Sequence, residues 1–280
     1  MKIFPVILLS MIMISSGFLI NSPAIAAPSD NANDRAKYAF KLPDNAVEIS
    51  PGAFYIGSVV HEGQIISGIA FFHHRDGHGG GPGGGGPGGE DKDVKCYAHI
   101  VKNVKWKNVE DYIVDPSNNA GLAETTVRSN IANAITEWEN PNSDDSVILD
   151  ILGDRVPGEV NRFLIGVDTN DKNEILFGDI AQEGAIAVNI LWYLRGGPDR
   201  GLVEWDQVYD DADFNWSFTG ATGAMDFLNI ATHEVGHATG LAHPDNSCTE
   251  ETMYYQAAFG ETKKQTLESG DIAGILDLYT

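Results

Sequence analysis

The sequence predicts an α+β fold, a sheet covered by helices and preceded by a small all-β unit. Three observations carry that reading. Runs rich in branched and aromatic residues recur along the 280-residue chain and have the length of strands. Three other segments place their apolar residues at helical spacing. A stretch of glycine and proline, too poor in side chains to pack a core, separates the first strand pair from the rest of the chain.

Residues 1–26 have the pattern of an export signal. Lys2 precedes a mostly apolar run from Phe4 to Ile20, and Ala24-Ile25-Ala26 offers a small-x-small cleavage site. Cleavage after Ala26 is expected. The product is then secreted and extracellular, with no membrane insertion, because no later run is apolar over the width of a bilayer. Residues 27–76 form the small β unit. After a polar start at Pro28–Lys37, Ala53–Val60 and Gln64–Phe72 read as strands, with His61-Glu62-Gly63 as a hairpin turn. Residues 77–93 are the linker, with twelve Gly or Pro among residues 77–89. His73, His74 and His78 fall around its start and read as incidental or weak surface ligands rather than a built metal site.

The second unit, residues 94–280, opens with a strand candidate at Val109–Asp115. Leu122–Asn140 follows as a helix, with Val127, Ile131, Ala134, Ile135 and Trp138 on one stripe. Ser146–Leu152, Glu174–Ile180, Ala185–Leu194 and Leu202–Tyr209 read as strands. A second helix carries a histidine cluster. The last helix spans Ser269–Tyr279, capped by Ser269, with Asp271 in its first turn and Ile272, Ile275, Leu276 and Tyr279 on its buried face.

A net charge of -22 argues against nucleic acid as a partner, since phosphate binding needs a basic face. The acidity fits a solvated surface and a monomer, and could also supply oxygen ligands for Ca²⁺. The two cysteines, Cys96 and Cys248, are expected to form one disulfide in an exported protein.

The stretch Thr232–Asp245 reads THEVGHATGLAHPD and holds three of the chain's eight histidines. His233 and His237, four apart, share one face of a helix. Leu228, Ala231, Val235 and Ala238 fit a buried helix around them. Gly240 can take the left-handed conformation that ends a helix, so the chain can turn and bring His243 to the same point. Three neutral imidazoles and a water make a Zn²⁺ site with an open position, the catalytic form. Glu234, beside the first ligand, can take a proton from that water and deliver it to a leaving amine. A purely structural zinc site would not need it.

The segment His233–His243 resembles the extended zinc signature of the metzincin metalloproteases, most closely that of the matrixins. The likeness runs roughly from Trp106 to Tyr279, and its motifs are specific around the zinc ligands and weak elsewhere. It implies a zincin-like catalytic domain with a mixed twisted sheet and three helices, acting as a secreted zinc-dependent endopeptidase of the extracellular matrix type. Met253, ten residues after His243, stands where the family carries the methionine of its Met-turn. Asp271 resembles the buried aspartate that braces that turn. The family binds its protein or peptide substrate as an extended strand on an edge strand above the zinc, here within Gly184–Ile190.

Several positions depart from the matrixin pattern. Pro244 follows the third histidine as in serralysins. Tyr255 has the spacing of a tyrosine that approaches the metal in astacins and serralysins, so it either supports metal and oxyanion or packs the turn. Gly270–Asp271 stands where many matrixins have two aspartates. No cysteine-switch motif is present, which leaves residues 27–93 as either a propeptide or a permanent accessory unit. Asp168–Asp179 reads as a polar turn rather than a calcium loop, and Tyr209–Asn215 is a second acidic candidate for Ca²⁺. Two alternatives are a non-catalytic extracellular zinc-binding or adhesion protein with a vestigial metzincin fold, and a different zinc hydrolase acting on small amides.

Overall fold

The computed structural model describes residues 38–77, 94–144, 146–198 and 200–280. The expected export signal, Pro28–Lys37, His78 and the linker beyond Gly77 lie outside the described residues. In chain order the elements are β1 (Ala39–Phe40), β2 (Val47–Ser50), β3 (Ala53–His61), β4 (Gln64–Arg75), β5 (Ala98–His99) and β6 (Glu110–Val114). Helix α1 (Glu124–Glu139), β7 (Leu152–Arg155), β8 (Asn173–Ile180), β9 (Ala185–Leu194) and β10 (Gly201–Asp210) follow. Short β11 (Trp216–Ser217) and β12 (Met225–Asp226) lead into α2 (Phe227–Ala238), and β13 (Leu241–Ala242), β14 (Gln256–Ala257) and α3 (Ser269–Tyr279) complete the chain. Among the described residues the result is α+β, with three α-helices on a mixed sheet.

The main sheet runs β2-β3-β4-β9-β10-β8-β6-β7. Strands β10, β8, β6 and β7 are parallel, whereas β9 is antiparallel to β10. The N-terminal hairpin joins this sheet directly, because β4 pairs antiparallel with β9 from Ser67↔Tyr193 to His74↔Ala185. Strands β8, β9 and β10 are buried along nearly their whole length, as near-continuous apolar runs covered on both faces must be. One face carries the core shared with α1 and α2, where all five stripe residues of α1 are buried. Trp138 Nε1 donates to Thr232 O at 2.7 Å and ties α1 to α2. The opposite face packs Phe40, Ile66, Phe72, Val188, Trp192 and their neighbours.

Three expectations need correction. Gly184–Ile190 lies at the start of β9, and β9 is flanked by β4 and β10, so it is not an edge. Ser146–Leu152 is not a strand apart from its last residue. The amides of Ile151 and Leu152 are taken at 2.7 Å by Glu139 Oε1 at the end of α1, not by a ladder. The cap of α3 is Glu268 rather than Ser269. Its side chain accepts from the Asp271 amide while Asp271 Oδ2 accepts from the Glu268 amide at 3.0 Å, a reciprocal capping box. On α3, Ile275 and Leu278 are buried, while Ile272, Leu276 and Tyr279 are partly exposed.

Candidate metal centre and active site

Helix α2 is buried almost all round, as its apolar sequence requires, and begins at Asp226, whose Oδ1 accepts from the Asn229 amide at 3.0 Å. Its last turns present His233, Glu234 and His237 into the interior, each 0% exposed. Gly240, at φ +107°, ends it, and the Gly240 amide donates to His237 O at 2.9 Å. The chain then pairs β13 with β5 and returns His243 beside His237. His237 Nε2 and His243 Nε2 stand 3.1 Å apart, and one ring nitrogen of each of the three histidines falls within 4.8 Å of the others.

The other ring nitrogens fix the tautomers. His233 Nδ1 lies 2.6 Å from Thr252 O, His237 Nδ1 2.8 Å from Leu241 O and His243 Nδ1 3.0 Å from Pro51 O. A carbonyl can only accept, so each Nδ1 donates its proton, and in the neutral ring each Nε2 is left with a lone pair. Burial holds the rings neutral by pushing their pKa values down, that of His237 to about 3. Two bare lone pairs at 3.1 Å repel unless a cation lies between them, and the buried His233 Nε2 has no hydrogen-bond partner. This donor set, three neutral imidazoles oriented through their second nitrogens, fits a zinc ion.

Glu234 adds a buried carboxyl whose two oxygens both lack a hydrogen-bond partner. Burial pushes its pKa well above the usual carboxylate range, opposed only by the Lys264 ammonium. Met253 lies beneath α2, against Gly236. Asp271 accepts from the Thr252 amide at 2.7 Å and the Met253 amide at 3.1 Å, and Glu251 Oε2 accepts from the Gly270 and Asp271 amides at 2.9 and 3.1 Å. Turn and last helix are thus laced together. Cys96 and Cys248 are bridged, which joins the segment before β5 to the same region. The Tyr255 ring is 5.8 Å from the His243 ring.

Two groups escaped the sequence reading. His73 and His74, expected as surface ligands, are buried in β4 against this centre. His73 Nδ1 is 3.5 Å from Glu234 Oε1, and its ring centre is 3.8 Å from that of His233. Lys264, in a polar stretch that looks exposed, is 0% exposed. It donates to Gln256 O at 2.8 Å, to Tyr254 O, and to His73 Nε2 at 2.9 Å. Desolvation pushes its pKa down to about 7. The unbroken apolar stretch Ile69–Phe72, which does not alternate, was the available signal that this part of β4 is buried on both sides.

The calcium candidates look different from each other. In Asp168–Asp179 the amides of Asn170, Asp171 and Lys172 all turn onto Glu204 Oε2. In Tyr209–Asn215, Asp210 and Asp213 bring one oxygen each within 4.8 Å of Asp179, but the Asp210 Oδ1 already accepts from the Ala212 and Asp213 amides.

Comparison with known proteins gives a consistent picture of the C-terminal part. Residues 201–280 match the family described as Matrixin, peptidase M10. The chain is 34% identical over 121 residues to neutrophil collagenase of Homo sapiens, covering 38% of this chain and 25% of that protein. It is 38% identical over 76 residues to metalloendoproteinase 2-MMP of Arabidopsis thaliana, covering 25% and 19%. Against matrilysin of Rattus norvegicus it is 35% identical over 83 residues, covering 30% and 28%. The chain therefore matches well under a third of the length of each of these relatives.

Proposed function

From the matrixin-like metalloprotease domain that this chain carries, we propose a secreted, zinc-dependent endopeptidase that hydrolyses peptide bonds with Glu234 as general base and acid. The observation that carries this is the pairing of three convergent, backbone-oriented imidazoles with a buried carboxyl that has no hydrogen-bond partner, on the helix that carries two of them. His233, His237 and His243 would hold a zinc ion, which when bound would supply Lewis acidity and a water of lowered pKa. Glu234 is the side chain that would take a proton from the attacking water and deliver it to the leaving amine. A cation nearby favours the ionised carboxylate and offsets the cost of its burial. Asp271 holds the Thr252 and Met253 amides, and Thr252 O in turn holds the His233 ring, so the ligands enter pre-oriented. The substrate would be an extended segment of protein or peptide. Extracellular location agrees with an export signal at residues 1–26, and among the described residues no helix is long and apolar enough to cross a membrane.

The test separates metal binding from catalysis. Glu234→Ala should keep one zinc per chain by metal analysis and cut casein at least about a hundredfold more slowly than the parent form that cuts it. A variant that holds zinc and cuts casein at full rate would remove Glu234 from the role of general base and acid.

A further inference from the structure

The slot in which a peptide would pair is filled by the chain's own N-terminal strand. On one side β4 runs antiparallel along β9, and on the other its end runs parallel to β14, with Gln256↔His74 and Ala257↔Arg75 in register. The His74 amide donates to Tyr255 O at 2.9 Å and the Asp76 amide to Ala257 O at 3.0 Å. These are the main-chain bonds by which an added strand is held. Side chains complete the closure. The Phe71 ring stacks at 4.3 Å on His237 and meets His243 edge-on at 5.7 Å. His73 stands between Glu234 and Lys264. The turn before β3 presents Pro51 O to His243, and it is tight: a Cβ on Gly52, at φ +72°, would lie 2.9 Å from Phe72 O. Of the three zinc-ligand candidates only His243 is partly exposed.

We propose that β3 and β4 are an intrachain plug, with β4 seated as a substrate-like strand on β9 and His73 set against the general base, so that the chain in this arrangement is latent. The plug works without a thiolate, consistent with both cysteines being in the Cys96–Cys248 bridge. It rests on the peptidase reading above. It also accounts for the surroundings of Glu234, whose Oε1 faces the His73 ring at 3.5 Å. Activity requires that β4 leave β9, by cleavage within residues 38–77 or by displacement of the hairpin.

The experiment uses the full chain loaded with zinc, checked intact by mass spectrometry. Two readouts run in parallel, cleavage of unfolded casein and binding of a fluorescent peptide hydroxamate. Gly68→Val loosens the strand far from the metal, because a Cβ at Gly68 already falls 2.7 Å from Ile56 Cγ1 and Trp192 Cζ3. His73→Ala removes the ring from Glu234. Ala70→Cys/Ile190→Cys locks it, since these residues are direct cross-strand partners on the face away from α2. The two single cysteine variants are the unlocked controls. Expected is at least tenfold tighter hydroxamate binding and faster cleavage in the loosened forms than in the parent, with the locked form the slowest. Equal hydroxamate binding and equal cleavage by intact locked, parent and loosened chains would overturn the plug. If the loosened variants fail to fold, locked against single-cysteine forms decides alone by hydroxamate binding. Zinc-loaded chains whose hydroxamate binding tracks the lock but that never cut casein would keep the plug and sink the peptidase reading.

Discussion

Gly236 sits mid-helix in α2, where alanine is the better helix former by about 1 kcal/mol. Packing reverses that preference. A Cβ there would collide with Met253 Sδ and lie 2.6 Å from Trp138 Cζ2. Gly236→Ala should therefore lower the denaturation midpoint by the equivalent of about 1–3 kcal/mol, and loosen zinc as Met253 moves; an unchanged or raised midpoint would contradict the packing argument. Lys264 makes a second case. Lys264→Met leaves the carbonyls of Tyr254 and Gln256 without this donor and should cost about 1–3 kcal/mol for each one left unpaired. Thermal unfolding checks it. At this scale the convergence of His233, His237 and His243 was legible, with Glu234 and Gly240 beside them, because one helix and one turn set all five. Lys264 and His73 were not, because what buries them arrives from 191 positions away.

Among the elements, the turn between Asp168 and β8 gives three successive amides to one side chain of β10. Glu204 Oε2 accepts from the amides of Asn170, Asp171 and Lys172 at 2.8, 2.6 and 3.3 Å. Burial, with Glu174 nearby, pushes the Glu204 carboxyl from 4.5 up to about 7. A carboxyl raised on folding binds its proton more tightly in the native state. Its stabilising contribution is complete below the unfolded value and is lost as pH climbs through about 7. Glu204→Gln keeps an oxygen for the three amides and cannot ionise. Relative to the parent, it should gain up to about 3 kcal/mol between pH 4.5 and 8, read from urea midpoints. A constant difference across that window would show that the three amides keep Glu204 ionised throughout. The helices and β8, β9 and β10 were readable from periodicity and apolar runs. The strand assigned to Ser146–Leu152 failed because Glu139 captures its last amides, a side-chain contact with no periodic signature.

For the whole molecule, what sequence could not convey is which strands become neighbours. Nothing local to Gln64–Arg75 or Ala185–Leu194 says that they pair, and so the hairpin reads as separate when it is the continuation of the sheet. The Cys96–Cys248 bridge is the other long-range feature, and it was inferable only because there were two cysteines to join. It closes a separation of 152 residues, containing α1, strands β6 to β10 of the main sheet and α2, for which loop entropy gives about 5 kcal/mol as an upper figure. Its position adds a functional consequence. Cys248 lies five residues before Met253, and Cys96 O packs so closely on Gly270, in the first turn of α3, that a Cβ there would collide with it. The bridge therefore clamps the segment before β5, the turn beneath α2 that carries Met253 and the helix whose Asp271 braces that turn. Cys96→Ser/Cys248→Ser should lower Tm by about 10 °C or more. It should also speed zinc loss to a chelator, because Thr252 O, which orients His233, rides on the same turn. A double variant with parental Tm but faster zinc loss would assign the bridge to the metal centre alone, whereas a lowered Tm with unchanged zinc exchange would assign it to the fold.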